Sequence, residues 1–288
     1  MLRICSFESR RGTEMQSLIE RLGGEAIIAP SLREIPLGNN PGALDFAAQL
    51  FAGRIDVMVF LTGVGARALL EVVELRFPRE QFLSTLGNCV TVVRGPKPAA
   101  VLREWGVRID HRVPEPNTWR ELLQTLDASV PVSGRRVAVQ EYGQPNSQLY
   151  AALEERGAFV TPVPVYRWEL PEDLAPLESA IHRTIAGDFH ILMWTSAQQV
   201  RHVLQVAEQL GVLEAWRAAA SRTIMASIGP TCTEALAEER LPADFEPTHP
   251  KMGSLVKEAI AAAPALLASR QGQAASPTIP QTASDAAG

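Results

Sequence analysis

The punctuation of this sequence is written twice. Gly23, Pro30, Arg33, Gly53, Gly95, Pro96 and Asp110 return 134 positions later as Gly157, Pro164, Arg167, Gly187, Gly229, Pro230 and Asp244. The identities are few. What they share is place, because each falls at the same junction in the same order of elements. Thr62 pairs in this scheme with Thr195, one residue out of step. A chain repeated over roughly 1–130 and 134–263 has to build two related units.

Short apolar runs predict strands at 2–7, 25–29, 55–61, 89–93, 108–112, 135–140, 159–163, 189–194, 223–227 and 243–246. Amphipathic patterns lie between most of them, as at 12–22 (Met15, Leu18, Ile19, Leu22) and 145–156 (Leu149, Ala152, Leu153). Gly23 and Gly157 then stand at helix C-caps. Such alternation argues for parallel sheets covered by helices. Two proline-marked extended segments, 29–36 and 163–171, occupy equivalent points of the repeat. They are either loops after a strand or two crossings between domains. In the second case each domain takes its start from one repeat and its remainder from the other. That predicts a discontinuous first domain of 1–33 plus 171–263 and a second domain of 38–165. Residues 264–288 are rich in Ala, Ser, Gln, Pro and Thr, with only Arg270 and Asp285 charged. That composition predicts a disordered tail.

Several chemistries are disfavoured. The net charge of −5 gives no general attraction to nucleic acid or anionic membrane, so an anionic ligand needs a local basic site. Cys5, Cys89 and Cys232 are too scattered for a disulfide framework or zinc ribbon and suit a reducing cytoplasm. The start, Leu2-Arg3-Ile4-Cys5, carries no export signal, and no apolar run long enough to span a bilayer is evident. The five histidines form no HExxH or paired Cys/His spacing, so no metal is expected. There is no Gly-x-Ser-x-Gly elbow.

Gly63-Val64-Gly65-Ala66-Arg67-Ala68 after a strand partly matches a dinucleotide fingerprint. The strand does not open its unit, no acidic residue ends the next strand, and the equivalent turn at Thr195-Ser196-Ala197 lacks both glycines. The stronger signal is anion-binding helix starts. Arg94-Gly95-Pro96-Lys97-Pro98 and Ile228-Gly229-Pro230-Thr231 each follow a strand. Glycine allows the tight turn, proline suits the first helical position, and the next N–H groups point outward with the positive end of the dipole. Thr62 and Thr195-Ser196 mark two further strand-to-helix turns. Each of these turns alone could simply start or cap a helix. Four equivalent ones at strand C-terminal ends favour a ligand site.

With Arg94-Gly95-Pro96-Lys97-Pro98, Val165-Tyr166-Arg167, Trp194-Thr195-Ser196, Ile228-Gly229-Pro230-Thr231 and Glu246-Pro247-Thr248-His249-Pro250, the chain resembles the uroporphyrinogen-III synthase family over about 1–262. The resemblance implies two flavodoxin-like α/β domains joined by a two-stranded antiparallel linker near 33–38 and 165–171, with a cleft between them and no cofactor. It implies a lyase that closes hydroxymethylbilane, inverts its last pyrrole and loses water to give uroporphyrinogen III. Such a substrate is rich in carboxylates, which helix N-termini can hold in an acidic protein. The expected binding residues are Thr62, Gly95, Lys97, Thr195, Ser196, Gly229, Thr231 and Arg10, the last also readable as a solvated face. Tyr166 matches the family tyrosine and is the candidate proton donor, or else packs in the linker with its hydroxyl satisfied. Gly63-Val64-Gly65 replaces the more usual Ser/Thr-rich turn, and Cys232 stands where a second hydroxyl is common. A cytoplasmic monomer with no nucleic-acid or membrane partner is expected. The alternative is a non-catalytic tetrapyrrole or metabolite-binding module; the lack of a helix-turn-helix or basic reading segment disfavours a DNA-binding regulator.

Overall fold

The computed structural model describes residues 1–37, 40–141 and 143–274. The chain begins with β1 (Leu2–Ser6), α1 (Gly12–Arg21), β2 (Gly24–Ile28) and β3 (Arg33–Pro36). Next come α2 (Pro41–Phe51), β4 (Val57–Phe60), α3 (Gly63–Glu74), α4 (Arg79–Leu86), β5 (Val90–Val93), α5 (Pro96–Glu104), β6 (His111–Arg112) and α6 (Trp119–Ser129). The second repeat supplies β7 (Arg136–Gln140), α7 (Ser147–Glu155), β8 (Phe159–Val163) and β9 (Tyr166–Glu169). It continues with α8 (Ala175–Ile185), β10 (Ile191–Trp194), α9 (Ala197–Gln209), α10 (Leu213–Ala220), β11 (Ile224–Ser227), α11 (Pro230–Glu238) and α12 (Met252–Ala274).

Two compact units result: residues 1–31 with the described residues from 171 onward, and residues 32–170. The first holds a parallel sheet in the order β11-β10-β1-β2, the second a parallel sheet in the order β6-β5-β4-β7-β8. A shift of 134 residues carries β7, β8, β4 and β5 onto β1, β2, β10 and β11, so the two sheets share one doubly wound, flavodoxin-like order. Each sheet has its first two strands from one repeat and the rest from the other. The segments β3 and β9 pair antiparallel, Arg33 opposite Glu169 and Pro36 opposite Tyr166.

Apolar strand runs follow from burial on both faces. In the second unit one face packs on α2, α3, α4 and α5 through residues such as Phe46, Leu69, Phe82 and Leu102, and the other on α6 and α7 through Leu122, Leu126, Leu149 and Leu153. In the first unit α1 and α12 cover one face with Met15, Ile19, Leu255 and Ala259.

The repeated residues have physical reasons. Gly23 and Gly157 hold φ of 83° and 79° just after α1 and α7, a left-handed conformation that favours glycine. Asp110 and Asp244 each accept a backbone N–H from the neighbouring strand, Thr91 at 2.9 Å and Met225 at 2.7 Å. Arg33 and Arg167 both grip Glu169, at 3.1 and 2.6 Å. The pairing of Thr62 with Thr195 is corrected. Thr62 and Ser196, 134 apart, are the N-caps of α3 and α9, so no slip is needed.

Two further expectations are corrected. The strand at 243–246 is a single bridge between Ala226 and Phe245, because Pro242 and Pro247 bracket it and Asp244 bonds the sheet through its side chain. The tail expected to be disordered from 264 begins as helix, since α12 runs to Ala274. Leu266 and Leu267 pack on the core, and Arg270 bonds Asp244 and the Ser221 carbonyl, each at 2.6 Å. Alanine and glutamine are also strong helix formers, and they extend a helix already nucleated. Residues 275–288 of that expected tail lie outside the described residues.

At the amino edge of the second sheet Asp56 fastens β4 to β7. Its carboxylate accepts the Arg136 backbone N–H at 2.8 Å and the guanidinium at 2.9 and 2.6 Å. The side-chain bonds from Arg136 outweigh the opposing effect of burial and lower the carboxyl to about 2. A depressed folded value means stability that is present above the ordinary 3.8 and lost as pH falls toward 2. The pair is about one-third exposed, so Asp56→Asn should cost only about 1 kcal/mol at pH 7. The difference from the parent protein in urea unfolding should shrink between pH 4 and pH 2; a difference that stays constant would show that the charge contributes nothing.

Candidate active site

The carboxyl edge of a doubly wound sheet gathers its ligand groups where the strand connections diverge. That point lies between β1 and β10 in the first unit and between β7 and β4 in the second. Most of the residues expected to bind lie at these edges. Arg10 follows β1, Thr195 and Ser196 follow β10, and Gly229 and Thr231 follow β11. Thr62 follows β4, and Gly95 and Lys97 follow β5. The sequence expectation thus separates into two groups, one per sheet.

In the first unit the groups are already engaged. The Thr195 hydroxyl donates to the carboxylate of Glu8, accepts from Gln199 Nε2 at 2.7 Å, and its backbone N–H donates to Gln199 Oε1 at 2.7 Å. Glu8 also accepts the backbone N–H groups of Arg10 and Arg11, both at 3.1 Å, at the start of α1. An internal carboxylate therefore engages the donors expected to meet a ligand carboxylate. Ser196 caps α9 through the Gln199 N–H at 3.4 Å. Gly229 is buried at φ 158°, with Pro250 3.3 Å from where a Cβ would stand, while Thr231 is exposed in the first turn of α11. Arg10 is exposed as well.

In the second unit Thr62 is 8% exposed and accepts the Gly65 N–H at 2.9 Å, so its oxygen serves as a helix cap. The two glycines of the fingerprint-like turn are explained by protein contacts. A Cβ on Gly63 would meet the Lys97 carbonyl at 2.9 Å, and one on Gly65 would meet Gln140 Nε2 at 1.9 Å. Gln140, wholly buried at the end of β7, accepts the Thr62 N–H at 3.0 Å and donates to the Glu141 carbonyl. Protein atoms fill the space a pyrophosphate would need. Gly95 starts α5 against Asn117, whose side chain lies 3.3 Å from where a Cβ would stand, and Lys97 is exposed one residue into the turn after Pro96.

Tyr166 packs in the core, the second of the two readings left open for it. It is 3% exposed and belongs to the core of the second unit, as does Val165. Strict alternation along a strand would set these two neighbours on opposite sides. Val165 lies just before β9, and both join the core of this unit while Arg167 is exposed. The Tyr166 ring lies edge-on to Trp168, with centroids 6.2 Å apart. Both rings crowd Gly143, whose φ is 69° and whose Cβ would stand 2.7 Å from Trp168 and 3.0 Å from Tyr166.

Sequence reasoning missed Glu8, Gln199, Gln140 and Glu141. The signal for the last two was available: polar Gln140-Glu141 closes an otherwise apolar run, Val137-Ala138-Val139. Glu141 is 6% exposed and accepts the Tyr150 hydroxyl at 2.8 Å. Burial pushes its carboxyl up, with the phenol bond partly opposing. The thiols offer no nucleophile, since burial raises Cys89 to about 11, Cys232 to about 12 and Cys5 further. Gly65→Ala should destabilise the protein by about 1–3 kcal/mol in urea unfolding, because Gln140 is held at both ends of its amide. Unchanged stability would mean that Gln140 swings aside freely.

Comparison with known proteins agrees with this architecture. The profile of the uroporphyrinogen-III synthase HemD family matches residues 13–257. The Bacillus subtilis protein YjjA is 28% identical over 260 residues, covering 89% of this chain and 94% of its own. A uroporphyrinogen-III synthase from Synechococcus elongatus is 31% identical over 175 residues, 58% of this chain and 63% of that protein. A crystal structure of mutant uroporphyrinogen III synthase from Thermus thermophilus superposes with a TM-score of 0.70 at 24% identity, covering 92% of this chain and all of that one, a likeness of fold. With its profile match running from α1 into α12, the chain belongs to the uroporphyrinogen-III synthase family.

Proposed function

We propose that this protein is a lyase that closes hydroxymethylbilane to uroporphyrinogen III, inverting the last pyrrole ring with loss of water, as a monomer of the cytoplasm that uses no cofactor. The observation that carries the reading is family membership across residues 13–257. The chemistry of the strand ends supports it. Helix starts at α5, α9 and α11 offer N–H groups and hydroxyls to a polycarboxylate without a basic trench, which suits a net charge of −5. Loss of the hydroxyl gives a reactive azafulvene without a protein nucleophile, and the buried, high-pKa thiols fit that economy. The protein's main work is to hold the chain so that the substituted carbon of the last ring is attacked, which is catalysis by positioning. Binding at the first unit displaces the Glu8 carboxylate from Thr195, or uses it to accept pyrrole N–H groups.

The decisive experiment is incubation of the purified protein with hydroxymethylbilane and resolution of the product isomers. Uroporphyrinogen III at a rate proportional to protein is expected. Formation of only the spontaneous type I isomer would make the protein a binding module.

Thr231→Trp places bulk in the exposed first turn of α11. It should raise KM about tenfold, close to the 1.5 kcal/mol of one charge-assisted hydrogen bond, with an unchanged melting temperature. Unchanged KM and kcat would remove Thr231 from the site. Tyr166→Phe keeps the ring against Trp168 and Gly143, so turnover should stay within about threefold of the parent, below the 10²–10⁴ expected of a lost proton donor. A hundredfold fall at full stability would restore the Tyr166 hydroxyl as the acid.

A further inference from the structure

The two units share one topology, so each position in one can be compared with its equivalent in the other. Ser6-Phe7 ends β1, and 134 residues later Gln140-Glu141 ends β7. Phe7 is fully buried and its ring lies 4.3 Å from that of Trp194, an apolar solution to a buried strand end. At the same point the second unit buries a carboxyl group. Burying an ionisable group where its equivalent is a phenylalanine is costly for folding, and such cost concentrates at working sites.

The carboxyl is also held. Its backbone N–H donates to the Val163 carbonyl at 3.0 Å, continuing the β7–β8 ladder by one residue. The Tyr150 hydroxyl, on α7, donates to Oε1 at 2.8 Å. The following turn is fixed at Gly143 by Trp168 and Tyr166. Glu141 stands next to the Gln140–Thr62 bond, where β7 and β4 diverge. Ligands of doubly wound sheets bind at that point.

We propose that Glu141 is the proton donor to the departing hydroxyl in the cyclisation, with Tyr150 as its positioning residue. The inference rests on the proposed synthase reading. As the carbon–oxygen bond of the hydroxymethyl group breaks, its electron pair stays with oxygen, the Glu141 proton joins it, and water leaves. The pyrrole nitrogen lone pair stabilises the resulting cation. Attack by the substituted carbon of the last ring forms a spiro carbon–carbon bond. The original bond from that carbon to its methylene bridge then breaks, the freed methylene bonds the unsubstituted carbon of the same ring, and the proton lost as that carbon regains aromaticity returns to Glu141. One water is released and nothing is oxidised. Burial and the neighbouring substrate carboxylates both favour the protonated form of Glu141 before the step, and the Tyr150 hydroxyl steadies the carboxylate after it.

The test compares two substrates with the full-length protein. Hydroxymethylbilane needs a proton for its leaving group; its analogue acetylated on that hydroxyl releases acetate and needs none. Glu141→Gln should form uroporphyrinogen III from hydroxymethylbilane about a hundredfold more slowly, with KM unchanged and the melting temperature preserved. On the acetylated analogue the same variant should keep within about threefold of the parent rate. Tyr150→Phe should show the same pattern with a smaller loss. Equal losses on both substrates, or full activity of Glu141→Gln on hydroxymethylbilane, would overturn the assignment while leaving the synthase reading intact. Absence of type III product from the parent protein would instead overturn the synthase reading.

Discussion

Everything in this molecule depends on two parallel ladders that join strands from different repeats. Ile4 pairs with Ile191 where β1 meets β10, and Val57 pairs with Val137 where β4 meets β7. Neither repeat completes a sheet from its own strands, so neither can hide its backbone polar groups or its apolar faces alone. The exchange also sets where chemistry is available. Because the connections after β1 and β10, and after β7 and β4, run to opposite sides of their sheets, each sheet has its switch point at the carboxyl edge. The same exchange forces the chain to leave the first unit and return to it. Its exit is pinned by Ser31, whose backbone N–H and hydroxyl donate to Ser9 and Phe7, while His202 Nδ1 lies 2.7 Å from its carbonyl.

The two carboxyl edges are variations on one plan with opposite electrostatics. In the first unit Glu8 is surrounded by donors: two backbone N–H groups at the start of α1 and the Thr195 hydroxyl. In the second, Glu141 is buried and, among the described residues, accepts the Tyr150 phenol. One carboxylate is ringed by hydrogen-bond donors, and burial pushes the other toward its neutral form. In the proposed reaction, carboxyl groups in two such different settings divide recognition from proton transfer.

Much of the fold was legible because breakers and apolar runs report local geometry. Gly23, Gly157 and the Gly-Pro pairs at 95–96 and 229–230 mark helix ends and starts, and the structure uses them so. The paired proline-marked segments announced β3 and β9. What local patterning could not carry was the packing at the start of β9, where Val165, just before the strand, and Tyr166, its first residue, are buried together. It also misjudged residues 264–274, whose order comes from Arg270 reaching Asp244 and Ser221. At the site, sequence found the turns but not their occupants. That Thr195 is held by Glu8, or that Gly65 makes room for Gln140, depends on residues 187 and 75 positions away.

The crossing of the chain between units has a consequence for how the protein is made. Residues 32–170 form the second unit as one uninterrupted stretch and can fold as they emerge from the ribosome. The first unit cannot. Its β1 and β2 are made long before β10, the second partner of β1, and α12, which covers the apolar face, follows later still. For most of synthesis the amino-terminal strands therefore wait with an open edge and an uncovered face, the state in which a strand most readily pairs with the wrong chain. Arg3 and Glu25, opposite each other on β1 and β2, are the charges this waiting pair of strands carries. The order of synthesis leaves β1 and β2 the strands most exposed to mispairing while the rest of their sheet is made.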